Sequence, residues 1–307
     1  YEKLHENHNH KVDDLWLLRS RLFDMFLNDW DRHEDQWRWA RFKMGDSTLY
    51  RPIPRDRDQV FIKFRGLLPS LANRTWGIRK FQSFDYDIRD ISGMNFNARY
   101  IDRNFLVEPS LEDWLAEARY LQENITDAII ENAIRQLPKA AFDLEGETII
   151  AKLKSRRDNL QKFARDYYQV LAREVEVVGS DKREIFEVVR SSDEETVVKV
   201  YDMKGKGGKG KLLYHRVFKT NETREVRLFG LGGGDRFELS GEVKKGIIVR
   251  IIGGKGKDEI INTSVVKGWQ KKTKVYDRKK KTTLEENGDT CDYRTDKDDE
   301  INAYDRR

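Results

Sequence analysis

The chain has 307 residues, of which 38% are hydrophobic and 37% charged, with 59 Lys and Arg against 54 Asp and Glu. This hydrophobic content excludes wholesale disorder, and the single cysteine excludes a disulfide framework or a multi-cysteine metal site. The net charge of +5 is spread over a mixed surface and does not indicate nucleic-acid binding. No stretch approaches the about 20 apolar residues of a membrane helix, and the length predicts about two domains.

The first part of the chain, residues 1–174, is predicted to be mainly helical. Apolar residues recur there at helical spacing, and Ser, Thr and Pro stand at expected helix boundaries. The predicted helices lie at Val12–Leu27, after Pro109–Ser110, from Thr126 to Pro138, and over Leu153–Leu171, which carries many Arg and Lys on its other face. A loop-rich stretch, Gly45–Asn104, separates the first helix from the others.

The second part, residues 175–285, is predicted to be rich in β-strands. Short β-branched or aromatic runs alternate there with Gly, Asn and Ser turns, which predicts a short solenoid or a sandwich. The runs are Glu174–Val178, Glu184–Val189, Thr196–Tyr201, Leu212–Phe218, Glu225–Phe229, Arg236–Leu239, Ile247–Ile252 and Thr273–Tyr276. Lys204–Lys211 is predicted to be a hairpin tip, and the polar residues 286–307 a linker towards a further domain. The fold class is therefore α+β.

Two clusters of polar residues have the order and spacing that phosphoryl transfer requires. That chemistry needs a carboxylate to orient the attacking hydroxyl, and oxygen ligands for the metal that bridges the phosphates. The candidate residues are Asp31, His33 and Gln36 in the first cluster, and Arg55, Asp56, Arg57 and Asp58 in the second.

Both clusters resemble kinase motifs. Asp31–Arg32–His33–x–x–Gln36 is similar to the D-R-H-x-x-N catalytic loop of lipid and secreted kinases, with Gln in place of Asn. The segment from Pro54 to Phe61 resembles the P-W-D-x-D-x-x-F metal motif of CotH-type kinases. The whole chain resembles the central region of large Bacteroidetes envelope proteins of the metallophosphatase and surface-antigen type. Its last residues, 301–307, resemble the lead-in to an outer-membrane barrel.

The resemblance implies a kinase-C-lobe-like part over residues 1–174 with an atypical phosphate or metal site. In that site Asp31 and His33 would be catalytic, Arg55 and Arg57 would bind phosphate, and Gln36, Asp56 and Asp58 would hold Mg²⁺ or Mn²⁺ with ATP. Because no glycine-rich phosphate loop or strand lysine precedes the motif, we expect an upstream N-lobe-like segment to complete the site. The family also implies an upstream phosphoesterase domain, a downstream outer-membrane barrel, and a location in the periplasm or at the outer membrane.

A non-catalytic hypothesis stands beside this one. Arginines at positions 38, 41, 51, 55 and 57 could neutralise the aspartates at 29, 31, 56 and 58 in a buried salt-bridge network. The chain would then be a pseudokinase-like scaffold that positions the phosphoesterase domain relative to the barrel. A third hypothesis, a metal-hydrolase site at His5, His8 and His10, competes with a solvated chain end.

Glycine–aspartate turns form a further pattern in the second part. Gly230–Asp235 and Gly253–Asp258 resemble the turns of calcium β-rolls. Because Arg236 and Lys257 would repel a cation, we expect Asp235 and Asp258 to cap turns rather than bind Ca²⁺. The many lysines of this part predict a solvated face, with a membrane surface or an anionic polysaccharide as the alternative partner.

Overall fold

The computed structural model describes residues 2–6, 8–64, 79–205 and 207–302. The predicted barrel lead-in beyond residue 302 and Lys206 of the predicted hairpin tip therefore lie outside the described residues. The chain is a mixed α/β protein with several sheets, as the sequence predicted in outline. It forms two compact units: a helical unit, Val12–Leu171, and a β unit, Tyr1–Lys11 with Ala172–Arg307.

The helical unit contains helices and one β-hairpin. Its elements are α2 (Asp14–Leu27), a 3₁₀ turn (Glu34–Gln36), β2 (Trp37–Met44), β3 (Ser47–Pro54), α3 (Ile91–Met94), α4 (Arg99–Phe105), α5 (Leu111–Asn124), α6 (Asp127–Ile134), α7 (Lys139–Ala141), a π turn (Phe142–Gly146), α8 (Glu147–Asp158) and α9 (Leu160–Ala172). Helix α1 (Glu2–Glu6) and strand β1 (His10–Val12) precede them.

Three of the predicted helices form close to their predicted bounds, as α2, α5 and α6. The predicted helix Leu153–Leu171 is instead two helices, α8 and α9, and α3 and most of α4 lie in the stretch that was predicted to be loops. Asp13 caps α2 by accepting a hydrogen bond from the Trp16 amide, and Ser110 and Asp113 form a capping box at the start of α5. Helix α2 packs against α5 and α8. Leu17 and Trp114 are completely buried in this core, where Trp114 packs edge-on against Tyr167 with centroids 5.9 Å apart.

A β-hairpin, β2–β3, occupies part of the stretch for which the sequence predicts loops. Gly45 has φ 59° in its turn, a conformation that glycine adopts without steric cost. The register pairs Trp37 with Pro54, and the Arg55 amide donates to the Gln36 carbonyl at 2.8 Å. The hairpin therefore brings the two polar clusters of the sequence side by side.

The β unit contains thirteen strands in its described part. They are β4 (Glu174–Val178), β5 (Glu184–Arg190), β6 (Glu195–Lys204), β7 (Gly208–Lys219), β8 (Glu225–Phe229), β9 (Arg236–Ser240), β10 (Glu242–Val243), β11 (Ile248–Ile252), β12 (Glu259–Asn262), β13 (Val265–Val266), β14 (Thr273–Tyr276), β15 (Thr283–Glu286) and β16 (Thr290–Asp292). Helix α10 (Asp298–Asn302) follows.

Most of these strands pair in parallel. One sheet has the order β16-β14-β11-β8-β4, and the other has the order β15-β12-β9-β5-β6-β7, in which β6 and β7 are an antiparallel hairpin. Arg236 of β9 lies opposite Glu259 of β12, so the chain returns to the same register after 23 residues. Strand β16 extends the first sheet into the region for which the sequence predicts a linker.

The inward side chains of successive repeats stack on one another. The Phe186 and Phe237 rings are stacked with centroids 4.7 Å apart, and Ile260 continues this column. All three residues are completely buried. Because equivalent residues face the same way in each repeat, alternation within a strand is enough to build a continuous core.

Candidate functional site

The C-terminus of α2 positions the first polar cluster. Asn28 ends the helix with φ 63°, a left-handed conformation that Asn tolerates better than most residues. The chain then turns back, so Asp29 and Arg32 lie beside Asp24 of the last helical turn.

Arg32 is the centre of this cluster and is completely buried. Its guanidinium group binds both carboxylate oxygens of Asp24, at 3.0 and 3.1 Å. It also donates to Asp29, to the Gln36 side-chain oxygen at 3.2 Å, and to the Arg55 carbonyl. All five N–H donors of the guanidinium group therefore have an acceptor.

Arg21 joins the same cluster to helix α4. It donates to Asp24 at 2.9 Å, to Asp102 at 3.0 Å and to Asn95 at 2.5 Å. The Tyr167 hydroxyl donates to the other oxygen of Asp102 at 2.7 Å. Arg21 and Asp102 thus connect parts of the chain that are 81 residues apart.

The buried ionic network, as we call this set, is balanced in charge. Its cations are Arg21, Arg32 and the half-buried Arg57, which reaches Asp24 at 3.2 Å. Its anions are the buried Asp24, Asp29 and Asp102. Such a network is stable only while each charge keeps its partner, because an unpaired buried charge is costly.

Burial raises the pKa of two of these carboxyl groups. It raises the pKa of Asp29 to about 6, and the charge of Asp24 acts in the same direction. Burial also raises the pKa of Asp102, against the opposing influence of Arg21. Asp29 is therefore close to gaining a proton near neutral pH.

The predicted catalytic residues lie at the edge of this network. Asp31 is half-buried and accepts a hydrogen bond from the Asn97 amide at 2.5 Å. His33 is half-exposed, and its Nδ1 is 3.9 Å from Asp35. Asp31 meets the network through its backbone, because its amide donates to the Asp29 carboxylate. No described side-chain contact joins Asp31 or His33 to Arg32.

The predicted phosphate and metal ligands divide between the network and the solvent. Gln36 and Arg57 belong to the network, through Arg32 and Asp24 respectively. Arg55, Asp56 and Asp58 are exposed; Asp58 accepts from the neighbouring Gln59 at 3.0 Å, and Asp56 has φ 51°.

This donor set does not fit a magnesium or manganese nucleotide site as it stands. The Gln36 side-chain oxygen faces the Arg32 guanidinium, which would repel a divalent cation. Among the described residues, no group of three or more His, Cys, Asp or Glu side chains is placed to hold a metal ion. We therefore derive no chemical step through a bound metal or ATP.

The arginines that neutralise the network differ from those that the sequence suggested. Arg51 pairs with Asp13 at 2.8 Å, and Arg57 is the only one of the five suggested arginines with a described contact to the network aspartates. Arg21 and Asp102 were not anticipated at all. One feature of the sequence could have indicated the network: Arg21 and Asp24 are charged residues three positions apart on the apolar face of α2.

A second cluster, the acidic column, lies in the β unit. Asp235 and Asp258 immediately precede β9 and β12 and are almost completely buried. The Glu184 amide donates to Asp235 Oδ1 and the Asp235 amide donates to Asp258 Oδ1, both at 2.8 Å. The turn-capping role predicted for both aspartates is thus visible as hydrogen bonds between neighbouring repeats.

Glycines make room for these carboxyl groups. A methyl group on Gly230 would lie 2.5 Å from the Gly253 carbonyl and closer still to Asp235. One repeat after Gly253, the equivalent position carries a carboxyl group instead of a glycine. Asp277 occupies the position that follows the strand, as Gly253 does one repeat earlier, and accepts a hydrogen bond from Thr282 at 2.6 Å.

The acidic column holds protons. Burial raises the pKa of Asp235 to about 10, with the charges of Glu184 and Asp258 acting in the same direction, and raises that of Asp277 to about 7. Burial also raises the pKa of Asp258. Within the described residues, Oδ2 of Asp235 and of Asp258 accepts no hydrogen bond from an N–H or hydroxyl donor. The neighbouring carboxyl groups, Glu184 and Asp277 respectively, can each share a proton with them.

The three-histidine segment is only partly described. His8 Nε2 lies 2.7 Å from Glu184 Oε1, at the end of the acidic column. The side chain of His5 lies outside the described residues. The described contact of His8 is thus with one buried carboxylate.

No family model, curated protein or solved structure matches this chain. In the described part of the chain, no helix combines the length and the apolar character needed to cross a bilayer.

Proposed function

We propose that this chain is a non-catalytic scaffold module in which a kinase-like motif has a structural role. The observation that carries the proposal is the saturation of Arg32, the central residue of the motif, by five acceptors. One of these acceptors is Gln36, the residue that a kinase-type site would use as a metal ligand. The buried motif residues, Arg32 and Gln36, therefore stabilise the fold.

The β unit suits the same role. We propose that it is a short solenoid, because two sheets repeat in parallel with a 23-residue return. Each repeat is fastened to its neighbour by strand pairing, a stacked core and carboxyl–amide hydrogen bonds. A stack of this kind resists bending and can set the distance between two flanking domains.

The resemblance to envelope proteins suggests which domains these are. We propose that the module lies between a metallophosphoesterase domain and an outer-membrane barrel, in the periplasm or at the outer membrane. In this setting the helical unit is a pseudokinase-like lobe whose described motif residues have structural contacts. The charge balance of the buried ionic network supports this view, because it needs neither a metal nor a nucleotide to be complete.

Calorimetry and thermal unfolding together test the proposal. We expect no heat of binding when Mg²⁺–ATP or Mn²⁺–ATP is titrated into this chain. We expect Arg32→Met to lower the free energy of unfolding by about 3–5 kcal/mol, since it removes the arginine that pairs with the buried Asp29 and one of the three arginines that bind Asp24. His33→Ala, in the same motif but half-exposed, is the matched control and should cost under about 0.5 kcal/mol.

The opposite pattern would overturn the scaffold proposal. Saturable ATP binding that Asp58→Ala abolishes without changing the melting temperature would indicate a working phosphate site. Binding that appears only in a chain extended upstream, with the same dependence on Asp58, would indicate a kinase-type site completed by an N-lobe.

A further inference from the structure

Three cations occupy equivalent positions in the repeats of the β unit. Ile185, Arg236, Glu259 and Thr283 pair in register across the second sheet. The residues two positions before them are Arg183, Gly234, Lys257 and Lys281. Neighbouring strands are about 4.8 Å apart, so these four residues form one row across the N-terminal ends of the parallel strands β5, β9, β12 and β15.

The row contains a gap at Gly234, and a cavity lies there. Its volume is about 540 Å³, and its lining consists of Arg183, Gly233, Gly234, Gly256, Lys257 and Lys281. The glycines let the backbone of adjacent repeats approach closely: a methyl group on Gly256 would lie 2.5 Å from the Gly233 carbonyl. The cavity therefore has a backbone floor and cationic sides.

In the described part of the chain, none of the cations of this row forms an ion pair with a carboxylate. Among the described contacts of Arg183 are the sulfur of Met203 at 2.8 Å and the Gly234 carbonyl at 3.5 Å. No described ion pair involves Lys257 or Lys281, whereas the adjacent Arg236 is paired with Glu259. Arg183, Lys257 and Lys281 are exposed, and a bound anion would relieve the repulsion between their like charges.

Asp235 and Asp258, which adjoin the row in the sequence, are not part of the cavity lining. Asp235 and Asp258 each follow a residue of the row, but they are buried and accept hydrogen bonds from backbone amides. Lys281 acts on Asp258 through its charge, so the cavity is not isolated from the acidic column. The carboxyl groups therefore lie behind the cavity rather than in it.

We propose that the row of Arg183, Lys257 and Lys281 is a binding site for a phosphate- or sulfate-type oxyanion. The geometry suits such a group, because several cations converge on one cavity and glycines leave room for the anion to approach the backbone. This inference is independent of the scaffold proposal and assigns a ligand class to a part of the molecule that the kinase-like motif does not involve.

The test is a calorimetric titration with inorganic tripolyphosphate at low ionic strength. We expect binding to weaken about tenfold or more in Lys257→Gln/Lys281→Gln, which removes two charge-assisted hydrogen bonds. The matched control is Lys255→Gln/Lys280→Gln, which removes the same charge from exposed positions outside the cavity lining and should bind like the unmodified chain.

Two results would overturn the proposal: no binding by the unmodified chain, or an equal loss in both double variants, which would indicate non-specific attraction. Thermal unfolding of each variant checks that the β unit is intact. If the proposal holds, sedimentation with phosphatidic acid vesicles identifies the source of the anion. Vesicle binding that Lys257→Gln/Lys281→Gln abolishes indicates a lipid headgroup, and tripolyphosphate binding without vesicle binding indicates a soluble phosphate.

Discussion

The carboxylate of Asp258 accepts a hydrogen bond from the backbone amide of Asp235, 23 residues earlier in the chain, at 2.8 Å. The same bond recurs one repeat earlier, between Asp235 and the Glu184 amide. These bonds connect consecutive repeats from within, where a peptide group would otherwise be buried without a partner. They also align carboxyl groups in a column, which makes the stability of the β unit sensitive to pH.

The β unit should lose stability as the pH rises. The pKa of Asp277 is raised to about 7 and that of Asp235 to about 10, so the folded state binds protons that the unfolded state releases above about pH 4. Stability is therefore complete below the unfolded pKa and falls by up to about 1.4 kcal/mol per pH unit for each proton. Urea unfolding at about pH 6 and about pH 9 measures this difference.

The variant Asp235→Asn separates this effect from other titrations. Its amide oxygen can still accept from the Glu184 amide, but it cannot ionise. We expect a smaller loss of stability between the two pH values than in the unmodified chain. Equal stability of the unmodified chain at both values would contradict the protonated column.

Gly253 should not tolerate a side chain. A methyl group there would lie 2.8 Å from Asp258 Oδ2 and closer still to Asp277 Oδ2. We expect Gly253→Ala to cost about 1–3 kcal/mol in the free energy of unfolding, because a packed interior resists added volume. The control is Gly208→Ala, whose methyl group would have a single neighbour, at 3.9 Å; a similar cost for both variants would refute the steric explanation.

Two aspartates of the buried ionic network should differ in importance. Asp24 accepts hydrogen bonds from Arg21, Arg32 and Arg57, so Asp24→Asn leaves buried arginines uncompensated and should cost about 3–5 kcal/mol. Burial raises the pKa of Asp29 to about 6, so the energetic difference between its charged and neutral forms is small at neutral pH. Asp29→Asn should therefore cost about 1 kcal/mol. Denaturant unfolding at neutral pH gives both values, and a greater cost for Asp29→Asn would contradict the order.

Arg156 should matter far more than its neighbour Arg157. Its guanidinium group is completely buried and donates to the carbonyls of Met25 and Phe26 at the end of α2. Burial lowers its pKa to about 10, so it stays charged at neutral pH and offsets the partial negative charge of the helix end.

We expect Arg156→Met to cost about 3 kcal/mol or more, because it leaves several buried carbonyls without donors. Arg157→Met, which removes a half-buried side chain that pairs with Asp127 and Asp158, should cost about 1 kcal/mol or less. Thermal unfolding of the two variants gives the comparison. Similar melting temperatures would show that the carbonyl contacts contribute little.

Features that depend on near neighbours along the chain could be predicted from the amino-acid sequence. Helical periodicity and the capping residue Ser110 placed α5, and alternation with glycine turns placed strands such as β8 and β11. The turn-capping role of Asp235 also followed from its spacing to Gly230. Each of these depends on a few consecutive residues, for which backbone geometry leaves a small choice of structures.

The partners of the buried charges, in contrast, could be identified only from the folded chain. Sequence periodicity placed the arginines of α8 on the face opposite its apolar residues, yet Arg156 is buried at the end of another helix. The pairing of Arg21 with Asp102 spans 81 residues, and that of His8 with Glu184 spans 176. No local pattern encodes such pairs, because a buried charge is stable only through partners that packing brings to it, and packing is a property of the whole fold.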